Sequence, residues 1–542
     1  MLSRRDFFNR MATYASAVSA ASCQQPLPWE RFSVTSNLAQ TKAAHLIRSF
    51  IGKPHSRSTQ TLTVDVCIVG AGAAGLTAAW WLDQLGCKDV AVLAGPELFG
   101  NTAGHTLANM PCPTGAHYLP LPSAESTHVR KILKAMGVIE SDPSLAAPRF
   151  DERYIVHAPA DRLLVDSVWE NGLLPANHAD PQSKAQQTQF LKLVAHYSDL
   201  KGVDGKRAFA VPIVQSSSDP AITQFDSLNF QAWLDASGLN AKPLLWYLDY
   251  CCRDEYGAGL QHISAWAGLH YFCSRSGRAS NAQSGAVLTW PDGLAQVSQF
   301  LAAPVHQRKQ VLAASAVYIE RFSGGANVHA LKNEFGSDPT PMIVKARKVI
   351  VATPLFVAGL IDPEIALAFP NWRQLLPEYR PWLVANFQLA RPLRERNSEL
   401  AWDNVVYQSS GLGFVNDSHQ HIRVSPQRPL TLTSYNALAS MTPKAGRLWL
   451  QNASEPELLA LAAHDLKAAY GERFWAHVEH VHLTARGHGM VSPAPGFLSN
   501  RITNDLRREQ GAVQYACADL SGYSVFEEAA WWGSQCAERC AG

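Results

Sequence analysis

Apolar and polar positions first settle into a readable pattern at Thr63–Val69, a run of strand length and largely β-branched character. Gly70-Ala71-Gly72-Ala73-Ala74-Gly75 closes that run, and Leu76–Leu82 then reads as a helix. Asp89–Ala94 is a second strand at the spacing of a βαβ unit. Farther on, Phe230–Leu239 and Leu244–Cys252 read as helices, punctuated by Asp254-Glu255-Tyr256-Gly257. Residues 202–226, with Pro and Ser, read as loop. The pattern is α/β, with a strand–turn–helix–strand unit near its head.

That unit carries a G-x-G-x-x-G fingerprint, and each glycine answers a physical need. Gly70 makes the tight turn, Gly72 lets the backbone approach a pyrophosphate, and Gly75 allows close helix–strand packing. Ala73 and Ala74 open the helix, so their N–H groups and the helix dipole face the same phosphates. Dinucleotide sites usually end the second strand on Asp or Glu, to grip a ribose. Here that position is Ala94; Glu97, three residues on, is an acid that can reach the ribose from a displaced loop.

Composition narrows the class. Hydrophobic residues make up 47% and charged residues 17%, below the usual ~25%, so the chain buries a large core. At ~150 residues per domain, 542 residues suggest roughly three to four units. A net charge of +2 gives no field for wrapping a polyanion, which argues against nucleic acid as a partner. Ten cysteines include no C-x-x-C pair, so no metal site is expected. Val66–Leu82 is uncharged, but Gly70, Gly72 and Gly75 interrupt it, so no integral membrane span is expected either.

The N-terminus reads as an address. Ser3-Arg4-Arg5-Asp6-Phe7-Phe8 precedes an Ala/Ser-rich stretch from Met11 to Ser22, and resembles a twin-arginine (Tat) export signal. Residues 1–30 are therefore expected to be signal and linker, the Tat machinery a partner, and the periplasm or another exported location the destination. Ala20-Ala21-Ser22-Cys23 is a degenerate lipobox that makes Cys23 a possible lipid anchor; simple cleavage is the favoured reading.

Distant segments then resemble the flavin-containing amine oxidase/phytoene desaturase superfamily. Phe99-Gly100-Asn101-Thr102-Ala103-Gly104-His105 is similar to its Gly-Gly-Arg loop, with Gly100 retained and Asn101 at the Arg position. Thr114-Gly115-Ala116-His117-Tyr118 resembles the strand beside the isoalloxazine, and Leu288–Leu294 the Trp-Pro-x-Gly turn. Val311–Ile319 resembles the strand that touches the adenine, and Arg347–Pro354 the strand that returns to the dinucleotide sheet. Arg486–Pro495 is similar to a turn entering a flavin-proximal strand. Val513–Asp519, Ser521-Gly522-Tyr523 and a helix from Val525 to Cys540 complete the likeness.

The resemblance implies a Rossmann-like (GR2-type) FAD-binding domain with an interleaved α+β substrate-binding domain. The first would comprise residues 62–150, 281–375 and 485–542, and the second residues 151–280 and 376–484. FAD is favoured over NAD because the motifs span the chain. Gly70, Gly72, Ala73, Ala74, Gly75, Gly100, Asn101, Gly115 and Ala116 would contact the cofactor. Asp519 would bind its ribityl or phosphate region, and Val525 would begin the helix facing the pyrimidine end. Cys517, His105 and Cys112 lie in segments near the cofactor, so covalent attachment stays open.

The activity implied is oxidation of a small organic substrate, an amine first, by hydride transfer to flavin N5. Two superfamily features are missing. The strand Trp382–Phe387 offers Asn386 but no Lys, and Tyr523-Ser524-Val525 supplies no clear aromatic pair. His117 and His488 are the candidate catalytic residues, because histidine titrates near neutrality; a structural role is the competing reading of each. His419 sits in a substrate-domain loop. A desaturase or isomerase of an apolar polyene, or a flavin-binding protein without turnover, are the alternatives.

Overall fold

The computed structural model describes residues 31–38, 47–54, 60–175, 179–332, 339–395, 397–421 and 429–542. The segment read as an export signal, residues 1–30 with Cys23, lies outside the described residues. Two large sheets and a helical layer make up the molecule.

The first sheet is built on the fingerprint strand Gln60–Val69. Its order is Val311–Leu312, Val90–Leu93, Gln60–Val69, Thr340–Val351, Gly325–Lys332, Ala314–Phe322, and Val513–Tyr515 joins along Val349–Val351. The strands around Val66–Val69 are parallel and buried on both faces, hence their unbroken apolar sequence. Thr340–Val351 is long enough to serve two partnerships. Its first half pairs antiparallel with Gly325–Lys332, and its second half parallel with Val513–Tyr515. The single strand expected at Val311–Ile319 divides at residue 313, because Val311–Leu312 joins the parallel set while Ala314–Phe322 turns into the antiparallel hairpin.

The second sheet runs Ser33–Ser36, Val478–Ser492, Glu378–Leu389, Leu430–Ala437, Phe414–Asn416, Asp403–Val406, Asp161–Val165, Val168–Asn171. Alternation along Glu378–Leu389 sets its two faces. Leu383, Ala385, Phe387 and Leu389 pack with Leu450, Leu458 and Leu466 of the helices Pro443–Asn452, Glu455–Ala462 and His464–Tyr470. Trp382 and Val384 face the other way, toward Tyr250 and Leu163. Val478–Ser492 is one continuous strand, so the expected turn at 486–495 begins only after Ser492, and the expected boundary at 485 falls inside a strand of the second sheet. Main-chain pairing with Glu378–Leu389 across that whole length is what keeps it extended.

Helices Pro181–Asp199, Phe230–Ala236, Lys242–Tyr256 and Ala265–Cys273 form the layer over the Trp382 face. Three of them start at their own side-chain caps, Asp180, Asn229 and Ser264. Residues 202–226 contain the short turns Ile213–Gln215, Pro220–Thr223 and Gln224–Ser227. Among the described residues, no helix is long and apolar enough to cross a membrane.

Candidate functional site

The fingerprint glycines form a cradle at the carboxyl end of the parallel strands. Gly70 has φ +108°, and a Cβ there would lie 2.6 Å from the Ala352 carbonyl oxygen. At Gly75 a Cβ would fall 2.0 Å from the Gly70 oxygen, so the helix Ala73–Gln84 can begin only if residue 75 has no side chain. Gly72 is different: nothing lies within 4 Å of its Cβ position. It caps the helix without a side-chain bond, which leaves the first-turn N–H groups, those of Ala73 and Ala74 included, directed at open space.

A second uncapped helix stands beside the first. Val525 is the N-cap of Phe526–Ala541 and makes no side-chain cap. The two helices approach closely where Gly533 meets Ala74, since a Cβ at Gly533 would be 2.3 Å from the Ala74 oxygen. Asp519 lies just ahead of this helix, fully buried, its Oδ2 accepting from the Leu355 N–H at 2.8 Å and from the Tyr379 hydroxyl. Burial raises its pKa.

The cradle lacks a ribose acid. Glu97 is held by Arg486 in a two-pronged ion pair at 3.0 and 3.0 Å, and Arg486 also donates to the Thr114 carbonyl. Glu97 therefore anchors the second sheet to the fingerprint loop. Open space in front of Gly72 and the uncapped start of its helix fit a dinucleotide's phosphates; the ribose contact at Ala94 is the part that does not match.

From the cradle the chain runs to the junction between the sheets. A Cβ on Gly100 would lie 3.7 Å from the Gly72 Cα, so the two glycines face each other across the cradle, and Phe99 takes a left-handed φ of 71° to make that turn. Asn101 donates its side-chain amide to the Gly489 carbonyl, and its own carbonyl accepts from Ala116 N–H at 2.8 Å. A Cβ on Gly115 would sit 2.2 Å from that same carbonyl. Asn386 donates to the Pro113 carbonyl and to Thr433 Oγ1, 2.8 and 2.7 Å, and is buried in a structural bridge.

His117 follows this loop. Its ring stacks on Tyr435 at 4.4 Å and meets Trp402 and Tyr118, while the Tyr435 hydroxyl donates to the Gly115 carbonyl. Desolvation lowers its pKa to about 3, so it is neutral in neutral solution. His488 lies elsewhere: it is exposed and stacks on Phe356 at 4.4 Å. The structure does not bring the two histidines together. Tyr523 is buried in the helical layer, where its hydroxyl donates to Glu528, and so lines no substrate cage. Cys112 and Cys517 are buried thiols whose pKa values burial raises, and His105 stacks on His482 at 4.0 Å. Among the described residues, no group of three or more His, Cys, Asp or Glu is arranged to hold a metal.

Beyond His117, side chains deep between the helical layer and the second sheet keep accessible surface, which marks a hollow there. Tyr118, Tyr247, Asp254, Tyr271, Arg275 and Asp403 are each half-buried there, although core residues surround them. Arg275 pairs with Glu255, stacks its guanidinium 4.2 Å above Tyr271, and approaches the Tyr118 hydroxyl at 3.5 Å. Tyr118 lies beside Asp254, whose pKa desolvation raises to about 7. Asp403 and Asp161, neighbours across the sheet, are pushed upward by the same cause. A crevice from His117 and Trp402 leads to Asp417, 6% exposed, whose Oδ2 accepts from Thr433 and whose Oδ1 has no partner.

These groups escaped the sequence reading, yet a signal was present. Tyr247, Tyr250, Cys251 and Asp254 recur at i, i+3, i+4 and i+7 on one helix, which places them on one face. Read as punctuation after a helix ending at Cys252, Asp254 lost that register; the helix in fact runs to Tyr256.

Comparison with known proteins agrees with the geometry of the cradle. Residues 68–136 match the NAD(P)-binding Rossmann-like domain family. No curated protein matches the chain at a significant level. Among solved structures, it is similar to putrescine oxidase, wild type bound to putrescine, at 17% identity over 88% of this chain and 99% of that chain, TM-score 0.63. It is similar also to cyclohexylamine oxidase from Brevibacterium oxydans IH-35A, at 18% identity over 88% of this chain and 98% of that chain, TM-score 0.61. A CLA-producing fatty acid isomerase from P. acnes follows at 15% identity, 88% and 98% coverage and TM-score 0.57. The chain therefore has an α/β Rossmann-like fold, shared nearly end to end with two amine oxidases and an isomerase.

Proposed function

We propose that this chain is an exported FAD-dependent oxidoreductase that oxidises a small amine. The observation that carries the reading is the hollow beyond His117, where, of the six side chains named above, three are aromatic, two are carboxyls and one, Arg275, is a cation. Such walls suit a cation with an apolar body. The fold's likeness to putrescine and cyclohexylamine oxidases supports the same class. The isomerase shares the fold, but an acid-lined hollow is a poor home for a fatty acyl chain.

FAD, when bound, supplies the acceptor for two electrons and a hydride. Gly70, Gly72, Ala73, Ala74 and Gly75 would hold its phosphates, with Gly100, Asn101, Gly115 and Ala116 along its path. Asp519 and the N–H groups after Val525 would take its ribityl and pyrimidine ends. The protein's own contribution is binding and exclusion of water. His117, neutral and fixed against Tyr435, orients the substrate as a hydrogen-bonding wall. The acids of the hollow hold the ammonium, and the aromatic rings displace solvent from the reacting carbon.

Purified protein should carry a flavin absorbance that acid releases as FAD; colourless protein that takes up no FAD on incubation would refute the cofactor assignment. For export, residues 1–30 fused to a folded reporter should secrete it. Replacing Arg4 and Arg5 by Lys should stop that, and secretion unaffected by the change would count against the Tat reading.

A further inference from the structure

We propose that Asp254 is the cation anchor and proton acceptor of the hollow. It would bind the substrate's ammonium and take one of its protons before oxidation, a role that rests on the amine reading above. The position is built rather than incidental. Asp254 lies on the inward face of Lys242–Tyr256 beside Tyr118, whose hydroxyl is itself approached by Arg275. Arg275 is spent on Glu255 and on the face of Tyr271, which leaves Asp254 and Asp403 as the carboxyls with accessible surface in the hollow; of the two, Asp254 is the one flanked by guanidiniums.

The groups facing Asp254 come from every element around it. Its own helix supplies Glu255, Arg253, Tyr250 and Cys251; Ala265–Cys273 and the segment after it supply Tyr271 and Arg275; the loop supplies Tyr118; and the sheet supplies Asp403 and Tyr435. Two carboxyls on this side oppose ionisation of Asp254, and two guanidiniums favour it. In the adjoining crevice Asp417 is more than nine-tenths buried with Oδ1 unpartnered, and burial raises its pKa.

The chemistry of the step is simple. One N–H bond of the ammonium breaks and one O–H bond forms on Asp254. The electron pair stays on nitrogen, and nothing is oxidised. The neutral amine that results is the form able to lose hydride. In place of a lysine on Glu378–Leu389, the helical layer supplies the proton acceptor.

Isothermal calorimetry with tetramethylammonium, a cation that can be neither deprotonated nor oxidised, tests the anchor on the full-length protein. Affinity should rise about tenfold between pH 6 and pH 8, as a carboxyl titrating near 7 ionises. Binding at pH 6 should release a proton. Asp254→Asn should bind weakly with no pH dependence, and Asp254→Glu should restore both. Unfolding curves of each variant show whether the fold is intact. Wild type that does not bind the cation, or a folded Asp254→Asn that binds with unchanged pH dependence, would overturn the proposal. Cation binding as expected, with no amine reducing bound flavin, would sink the amine-oxidation reading and leave the anchor standing. Amines that reduce the flavin of Asp254→Asn with a wild-type pH profile would do the reverse.

Discussion

Gly72 and Gly75 stand three residues apart and answer opposite demands. At Gly75 the obstacle is the protein's own backbone, 2.0 Å from a Cβ; at Gly72 there is no obstacle at all. Gly75→Ala should therefore cost about 3 kcal/mol of stability whether or not cofactor is present. Gly72→Ala should unfold at the wild-type temperature without FAD and bind FAD at least tenfold more weakly. Thermal unfolding with and without FAD separates the two, and equal behaviour of the variants would contradict the cradle. His117 makes a pH prediction. Its folded pKa of about 3 lies below the unfolded value near 6.5, so the stability tied to it is present above 6.5 and lost as pH falls toward 3. His117→Gln should then lose about 1–2 kcal/mol less than wild type between pH 7 and pH 5, measured by denaturant unfolding at each pH.

The fingerprint helix and the C-terminal helix work as a pair. The N-terminus of the first meets the middle of the second, because Gly533 lets the backbones approach at Ala74. Gly533→Leu should push them apart, lowering the unfolding temperature and the retained FAD together; a variant with full FAD content would show that the pairing is not what shapes the site. Elements of this kind were legible from the chain. A strand, three glycines and a helix announce themselves locally, and the final helix begins within one residue of its expected start. What escaped was set by partners far away in sequence. Val478–Ser492 stays extended past Arg486 because Glu378–Leu389 pairs with it, and Glu97 faces Arg486 rather than a ribose because the two sheets meet there. Asn386 likewise had the right strand, but its bonds to Pro113 and Thr433 join segments that no local pattern connects.

At the scale of the whole molecule, one sheet carries the cradle and the other, with the helical layer, encloses the hollow. The loop Pro113–Tyr118 joins them, tied to the second sheet through Asn386, Tyr435 and Arg486. Motifs scattered along the chain, at residues 62–120, 285–360 and 485–542, made the α/β class of the fold readable. The hollow was not, because Asp254, Arg275, Asp403 and Tyr118 come from four separate segments whose meeting is a property of the fold. The division of labour predicts that cofactor and substrate are held by different parts of one chain, next to each other at His117. The most direct test is the visible spectrum of the purified protein under anaerobic conditions, before and after addition of a panel of amines. A flavin band that bleaches with an amine is the predicted result. A flavin band that no amine moves would contradict the proposed activity, and the absence of any flavin band, even after incubation with FAD, would contradict the account at its root.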